Sequence, residues 1–285
     1  MNSVRATVID TEHHISPVTA RRYLITLQQQ KQQQQHWTGL KLQGKLACLP
    51  DANHTVSHSI FKNYAVDEDI ITFTAKARLQ VLPTRLNLSL WYPNTFPPHC
   101  LHHDHAPVTE TLSHILNGCY VYKGMYIARH DRIVDLLAKD IGSYVPSSAK
   151  MYKHSRVSTA MFMHNNEDEA SSDVTANSPN IGAEDSREVT ILEVACTFDH
   201  SLEEAFLTKV LKYQRLKEAI IQLGYKCKLL VFIFGSLGNV HKSVVRGLQI
   251  AGMPKSRAKA LAKFCSVSVI IGSRHIWRRR YFLYP

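Results

Sequence analysis

Three consecutive stretches decide the fold: EVTILEVACTF (188–198), SLEEAFLTKVLKYQRLKEAIIQLG (201–224) and CKLLVFIFG (227–235). The first is almost continuously apolar and β-branched, the pattern of a strand buried on both faces. The second reads as a helix. Ser201 and Glu204 have capping-box spacing, Glu203 and Glu204 favour the first turn, and Gly224 suits the stop. The third is a second buried strand. Strand, a helix of about 20 residues, then strand is a βαβ unit with parallel strands and a right-handed crossover.

Working outward, a further helix is expected from about Ser256 to Phe264, and the chain ends in HIWRRRYFLYP. The preceding stretch 164–188, HNNEDEASSDVTANSPNIGAEDSRE, is acidic and poor in apolar residues, and reads as a loop. Residues 109–119 and 126–140 read as two short helices around Gly118. Pro93, Pro97, Pro98 and Pro107 make 93–107 an irregular connection. Residues 56–92 mix apolar segments with the helical-looking AKARLQVL. A helix over 17–35 has Ser16 as cap and Pro17 in its first turn. It ends in QQQKQQQQ, a low-complexity tract whose plain reading is a solvated repeat. The expected class is α/β, with a mostly helical N-terminal half and then a sheet flanked by helices.

The chain has 285 residues, enough for about two domains at roughly 150 residues each. No apolar run reaches the ~18 residues of a membrane span. The N-terminus lacks the charged-then-apolar layout of a signal peptide. Six cysteines are too sparse for a disulfide scaffold. Secreted and membrane classes are disfavoured, and the expected location is inside the cell, in the nucleus. The formal charge of +11 is uneven. Residues 1–150 carry 15 basic and 11 acidic groups, residues 151–200 carry 3 and 9, and residues 201–285 carry 16 and 3. The last 35 residues hold 8 basic groups and no acid: Lys255, Arg257, Lys259, Lys263, Arg274, Arg278, Arg279 and Arg280. Such a block points to a polyanion, DNA or RNA, although a solvated basic surface has the same composition.

Residues 99–119, HCLHHDHAPVTETLSHILNGC, hold five His and two Cys. Cys100-x2-His103 and His114-x4-Cys119 are two short ligand pairs of the kind a structural zinc site uses. His102, His103 and His105 all compete for the second position. A His-rich loop beside a buried Cys is the bland reading.

Glu193 shares a strand face with Val189, Ile191 and Ala195. A bare carboxylate there is costly, so it must be protonated, paired or bound to a cation. At 100° per residue, Phe206, Val210, Tyr213, Leu216 and Ile220 form the apolar arc of the next helix. Lys209 falls within that arc and Lys212 beside it. Metal-dependent nucleases use such a set, with acids on Mg²⁺ and a Lys on the attacking water and phosphate. A structural Glu–Lys pair has the same pattern, and Lys217 also falls in the arc. GSLGNVHK, after the second strand, lacks the GK[ST] ending of a phosphate loop and reads as a turn. Ser113–His114 lacks the third group of a hydrolytic triad.

Taken in order, the Pro-rich linker, the Cys/His knuckle with ETLSHILNGC, ARHDRIVDLL, ILEVACTFD, KVLKY and LAKFCSVSVIIGS with the aromatic-basic tail resemble a known arrangement. It is the C-terminal region of site-specific non-LTR retrotransposon polyproteins, and the resemblance covers about residues 37–285. It implies a zinc knuckle followed by a PD-(D/E)xK endonuclease-like domain that nicks target DNA with Mg²⁺, so that reverse transcription primes from the nick. In that scheme residues 1–95 follow a reverse-transcriptase thumb, 96–145 are the knuckle with short helices, and 150–285 are the nuclease-like domain. Glu193 matches the second acid, and Lys209, Lys212 and Tyr213 match Lys-x-x-Lys-Tyr. The chain departs from the family in three ways. It has no polymerase. His103 or His105 replaces the knuckle's second Cys. Asn180, after Pro179, stands where the first acid belongs, with Asp168 as the alternative acid at a longer spacing. Asn is a neutral, weaker Mg²⁺ ligand. The expectations are therefore a nucleic-acid-binding fragment impaired in cleavage at Asn180, an active Mg²⁺-dependent endonuclease, or a decayed element without a role.

Overall fold

The computed structural model describes residues 17–40, 46, 49–63, 65–103, 107–144, 150–153, 159–164 and 188–283. The chain divides into two compact units, Met1–Cys48 and Leu49–Pro285. The first unit contains α1 (Pro17–Gly39), which carries the glutamine tract. Tyr23, Leu24, Ile25 and Leu27 are exposed on it.

The second unit is α/β. Its helices are α2 (His54–Ser57), α3 (Glu68–Arg78), α4 (Arg85–Trp91), α5 (Lys123–Gly142), α6 (Leu202–Gln222), α7 (Ser243–Ile250) and α8 (Lys255–Leu283). Its strands β1 (Lys150–Lys153), β2 (Thr159–His164), β3 (Glu188–Thr197) and β4 (Lys226–Gly235) form one sheet in the order β1-β2-β3-β4. The βαβ unit is present: β3 and β4 pair in parallel, with Glu193 opposite Val231. The antiparallel strands β1 and β2 extend the sheet from β3 and were not expected from the sequence. The knuckle stretch and the sheet share one unit, because Ile133, Val134, Leu137 and Ile141 of α5 pack into the same core as the strands.

The alternation of β3 and β4 distributes side chains to two layers. Leu192, Val194, Leu230, Phe232 and Phe234 meet α5, α7 and α8. Val189, Ile191, Val231 and Ile233 meet α6 through Leu202, Phe206, Val210, Tyr213 and Ile220. Leu216, expected in the apolar arc of α6, is 39% exposed, so the arc narrows there. Among the described residues, no helix is long and apolar enough to cross a membrane.

Two local expectations change. The chain enters α6 through a 3₁₀ turn, Asp199–Ser201, which leaves Ser201 at ψ 24° rather than extended. Its side chain consequently makes no capping hydrogen bond. The last helix does not stop at Phe264 but continues to Leu283. CSVSVII is β-branched, yet Ala258, Leu261, Ala262, Cys265 and Val269 follow helical spacing into the core, and burial overrides propensity. The serines between them are bonded. Ser266 Oγ donates to Gly238 O at 2.6 Å, while Arg132 Nε and an Arg129 guanidinium nitrogen donate to the hydroxyls of Ser268 and Ser273. Gly238 has φ +82°, and a Cβ there would meet Ile270 at 2.3 Å, so the β4–α7 turn needs glycine both for its conformation and for helix approach.

Candidate metal centre

Cys100, His103, His114 and Cys119 come together, with one potential ligand atom from each lying within 4.8 Å of the others. The first pair is held by a short antiparallel ribbon: Cys100 N–H donates to Val108 O at 2.8 Å and Glu110 N–H to Pro98 O at 2.9 Å. The second pair is set by a single π turn, His114–Gly118, in place of the expected α-helix over 109–119. Its i→i+5 bond, from Cys119 N–H to His114 O at 2.8 Å, brings residues five apart onto one side, where an α-helix would rotate them away. Tyr126 of α5 fixes the turn, since its hydroxyl donates to Ile115 O at 2.6 Å and accepts from Cys119 N–H at 3.1 Å. Gly118 leaves room for the imidazole, because a Cβ there would lie 3.3 Å from His114 Nδ1.

The donor set suits a tetrahedral ion such as zinc. The two Sγ atoms are 3.9 Å apart, close to the ~3.8 Å edge of a tetrahedron with metal–sulfur bonds of about 2.3 Å. Nε2 of both His103 and His114 is buried without a hydrogen-bond partner among the described residues. Burial pushes the Cys119 thiol up to about 11, and the neighbouring Cys100 opposes a second negative charge. Burial and the His103 ring lower the His114 pKa, which favours the neutral imidazole that binds metal. Of the competing histidines, His103 joins the cluster, whereas the His102 ring packs edge-on to Tyr122 at 6.1 Å. His105 lies outside the described residues. Among the described residues this is the one group of three or more His, Cys, Asp or Glu side chains arranged to hold a metal.

A buried carboxylate lies near the cluster. Glu110 Oε1 accepts from Arg85 N–H at 2.9 Å and from Arg280 Nε and a second guanidinium nitrogen at 3.0 and 2.6 Å. Glu110 and Arg280 are nearly inaccessible to solvent. Sequence reasoning missed Tyr126, which acts on ligand position without having ligand spacing, and Glu110, whose partners Arg85 and Arg280 lie far away in the chain.

On β3, Glu193 is fully buried and receives the ammonium of Lys209 from α6, the contact that the helix periodicity anticipated. Tyr213 is buried against Val189 and Ile191. Lys212 is exposed, with its ammonium 5.0 Å from the centroid of the Tyr213 ring. Asp168 and Asn180 lie outside the described residues. The turn after β4 is occupied internally: Leu237 N–H and Asn239 N–H donate to the two oxygens of the buried Asp199 at 2.8 and 3.0 Å. A carboxylate therefore fills the position that a phosphate would take in a phosphate loop.

The basic block divides. Arg280 is buried on Glu110, and Arg274 is buried on Asp69, so neither offers a free phosphate contact as expected. Their charges neutralise internal or half-covered acids instead of facing solvent. Arg278 also pairs with Asp69, at 2.8 Å, and Arg257 with Asp140, at 2.7 Å, although both remain exposed. Lys255, Lys259, Lys263 and Arg279 have no ion pair among the described residues.

Compared with models of known protein families and with curated proteins, the chain finds no match in either.

Proposed function

We propose that this chain is a zinc-bearing, nucleic-acid-binding fragment related to the C-terminal region of site-specific non-LTR retrotransposon proteins. Its α/β part would be a PD-(D/E)xK-like domain impaired in cleavage, because Asn180 replaces the first acid. The observation that carries this reading is the Glu193–Lys209 contact: a buried strand acid meets the lysine of the following helix, at the positions the resemblance gives to both. The Cys/His cluster supports it independently, at the place the resemblance gives to the knuckle. Zinc on Cys100, His103, His114 and Cys119 would be structural, with its charge stabilising two thiolates in a buried site. DNA or RNA would be held by the cations left exposed at the C-terminal end.

A second reading keeps cleavage, and the same contact favours it, since Glu193 and Lys209 remain in working relation. Mg²⁺ would then be shared by Glu193 and Asp168, and would polarise the scissile phosphate. Lys209 would orient the attacking water, and Lys212 would offset phosphate charge.

Nicking of supercoiled plasmid with Mg²⁺ or Mn²⁺ separates the two readings. The binding reading expects retention of plasmid without nicks. Nicking that disappears in Glu193→Ala establishes the second reading, and nicking that persists in that variant removes Glu193 from catalysis. Affinity should also fall steeply with salt if several phosphates are contacted.

A further inference from the structure

Across from the N-terminal half of α8, α2 and the 3₁₀ turn Ser59–Lys62 wall a groove of about 920 Å³. That is the size of a small-ligand cleft, roughly 300–1,000 Å³. Its charge is one-sided. Lys62 enters from the turn and Lys263 from α8, neither has an ion pair among the described residues, and no Asp or Glu lines the groove. Asn63 and the edge-to-face rings of His54 and His58, 5.6 Å apart, add polar edges. Beside Lys263, Phe264 is 55% exposed, while its helix neighbours Leu261, Ala262 and Cys265 are buried in the core. An exposed aromatic ring next to Lys263, in a groove whose two lysines have no ion pair among the described residues, suits a partner with a flat face and negative charge.

We propose that this groove binds single-stranded nucleic acid, with Lys62 and Lys263 on phosphodiester oxygens and a base stacked on Phe264. The inference rests on the nucleic-acid reading above and specifies strandedness and place. A duplex hides its base faces in the stack, whereas a single strand presents them to an aromatic platform flanked by cations.

The test is fluorescence anisotropy on the 285-residue, zinc-loaded chain with labelled oligo-dT, oligo-rU, a mixed-sequence duplex and heparin. Phe264→Ala should weaken both single strands roughly tenfold and leave duplex and heparin binding unchanged. Phe264→Trp should restore single-strand affinity. The Lys62→Gln, Lys263→Gln double variant should flatten the single-strand salt slope by about 1.4, at ~0.7 per phosphate. Zinc content and far-ultraviolet circular dichroism equal to wild type establish that these surface variants are folded. The dT and rU arms identify whether DNA or RNA is preferred. Unchanged single-strand affinity in both variants overturns the groove and leaves the broader reading standing. An equal loss on heparin in Phe264→Ala also overturns it, because a featureless polyanion patch would behave that way. A wild-type chain that binds none of the nucleic acids overturns the groove and the broader reading together.

Discussion

Lys209 and Glu193 illustrate how differently two halves of one ion pair respond to loss. Glu193 is fully buried, while the Lys209 side chain retains 24% exposure. Lys209→Ala strands a carboxylate in the α6 layer and should destabilise the fold by about 2 kcal/mol, below the ~3–5 of a fully buried broken pair. Glu193→Gln leaves an ammonium able to turn to water and should cost less than half as much, as read by urea unfolding. His58 sets a second residue-scale expectation. Burial, then Arg78 and His54, lower its pKa from 6.5 to about 4. The unfolded chain thus takes up a proton that the folded one refuses. Stability should be level above pH 6.5 and fall between 6.5 and about 4. The urea midpoint of His58→Gln should fall less over that window, and equal slopes in the two proteins would refute the assignment.

At the scale of elements, the π turn is what makes His114 and Cys119 a pair. Their spacing is legible in the sequence, but an α-helical reading of 109–119 separates them by about 140° at 100° per residue. Tertiary contact from Tyr126 supplies what the local sequence lacks. Tyr126→Phe should lower zinc affinity roughly tenfold, as losses of supporting hydrogen bonds around a metal ligand do. Competition with a metallochromic chelator measures it, and unchanged affinity would show that the turn holds itself. Cys119→Ser should abolish stoichiometric zinc, and equal zinc in both proteins would dismiss the centre. The β3–α6–β4 unit was readable because each piece repeats a period, two for strands and 3.6 for the helix, over many residues. Strands β1 and β2 were not, since four and six residues give too few repeats and their pairing partner lies in β3.

Over the whole molecule, α8 ties the parts of the second unit together. Its inner face completes the core against β4, α5 and α7, and Arg280 near its end closes on Glu110 near the candidate metal ligands. Arg280→Ala should therefore destabilise the unit by about 3 kcal/mol, because Glu110 loses its counter-charge while buried. Urea unfolding with zinc content read in parallel tests it, and a surface-like change below about 0.5 kcal/mol would dismiss the linkage.

The sequence by itself determined the α/β class, the parallel βαβ unit, the residue types of the Cys/His cluster and the need of Glu193 for a partner, with Lys209 one of several lysines on the facing helix. All of these follow from local periodicity and spacing. Only the tertiary structure decided that His103 completes the described quartet, that α8 runs on through a β-branched stretch, and that Arg274 and Arg280 serve ion pairs instead of a free surface. Those outcomes depend on which distant groups share a buried, low-dielectric space. Arg280 meets Glu110 across 170 positions of chain, and such long-range desolvation leaves no periodic trace in sequence.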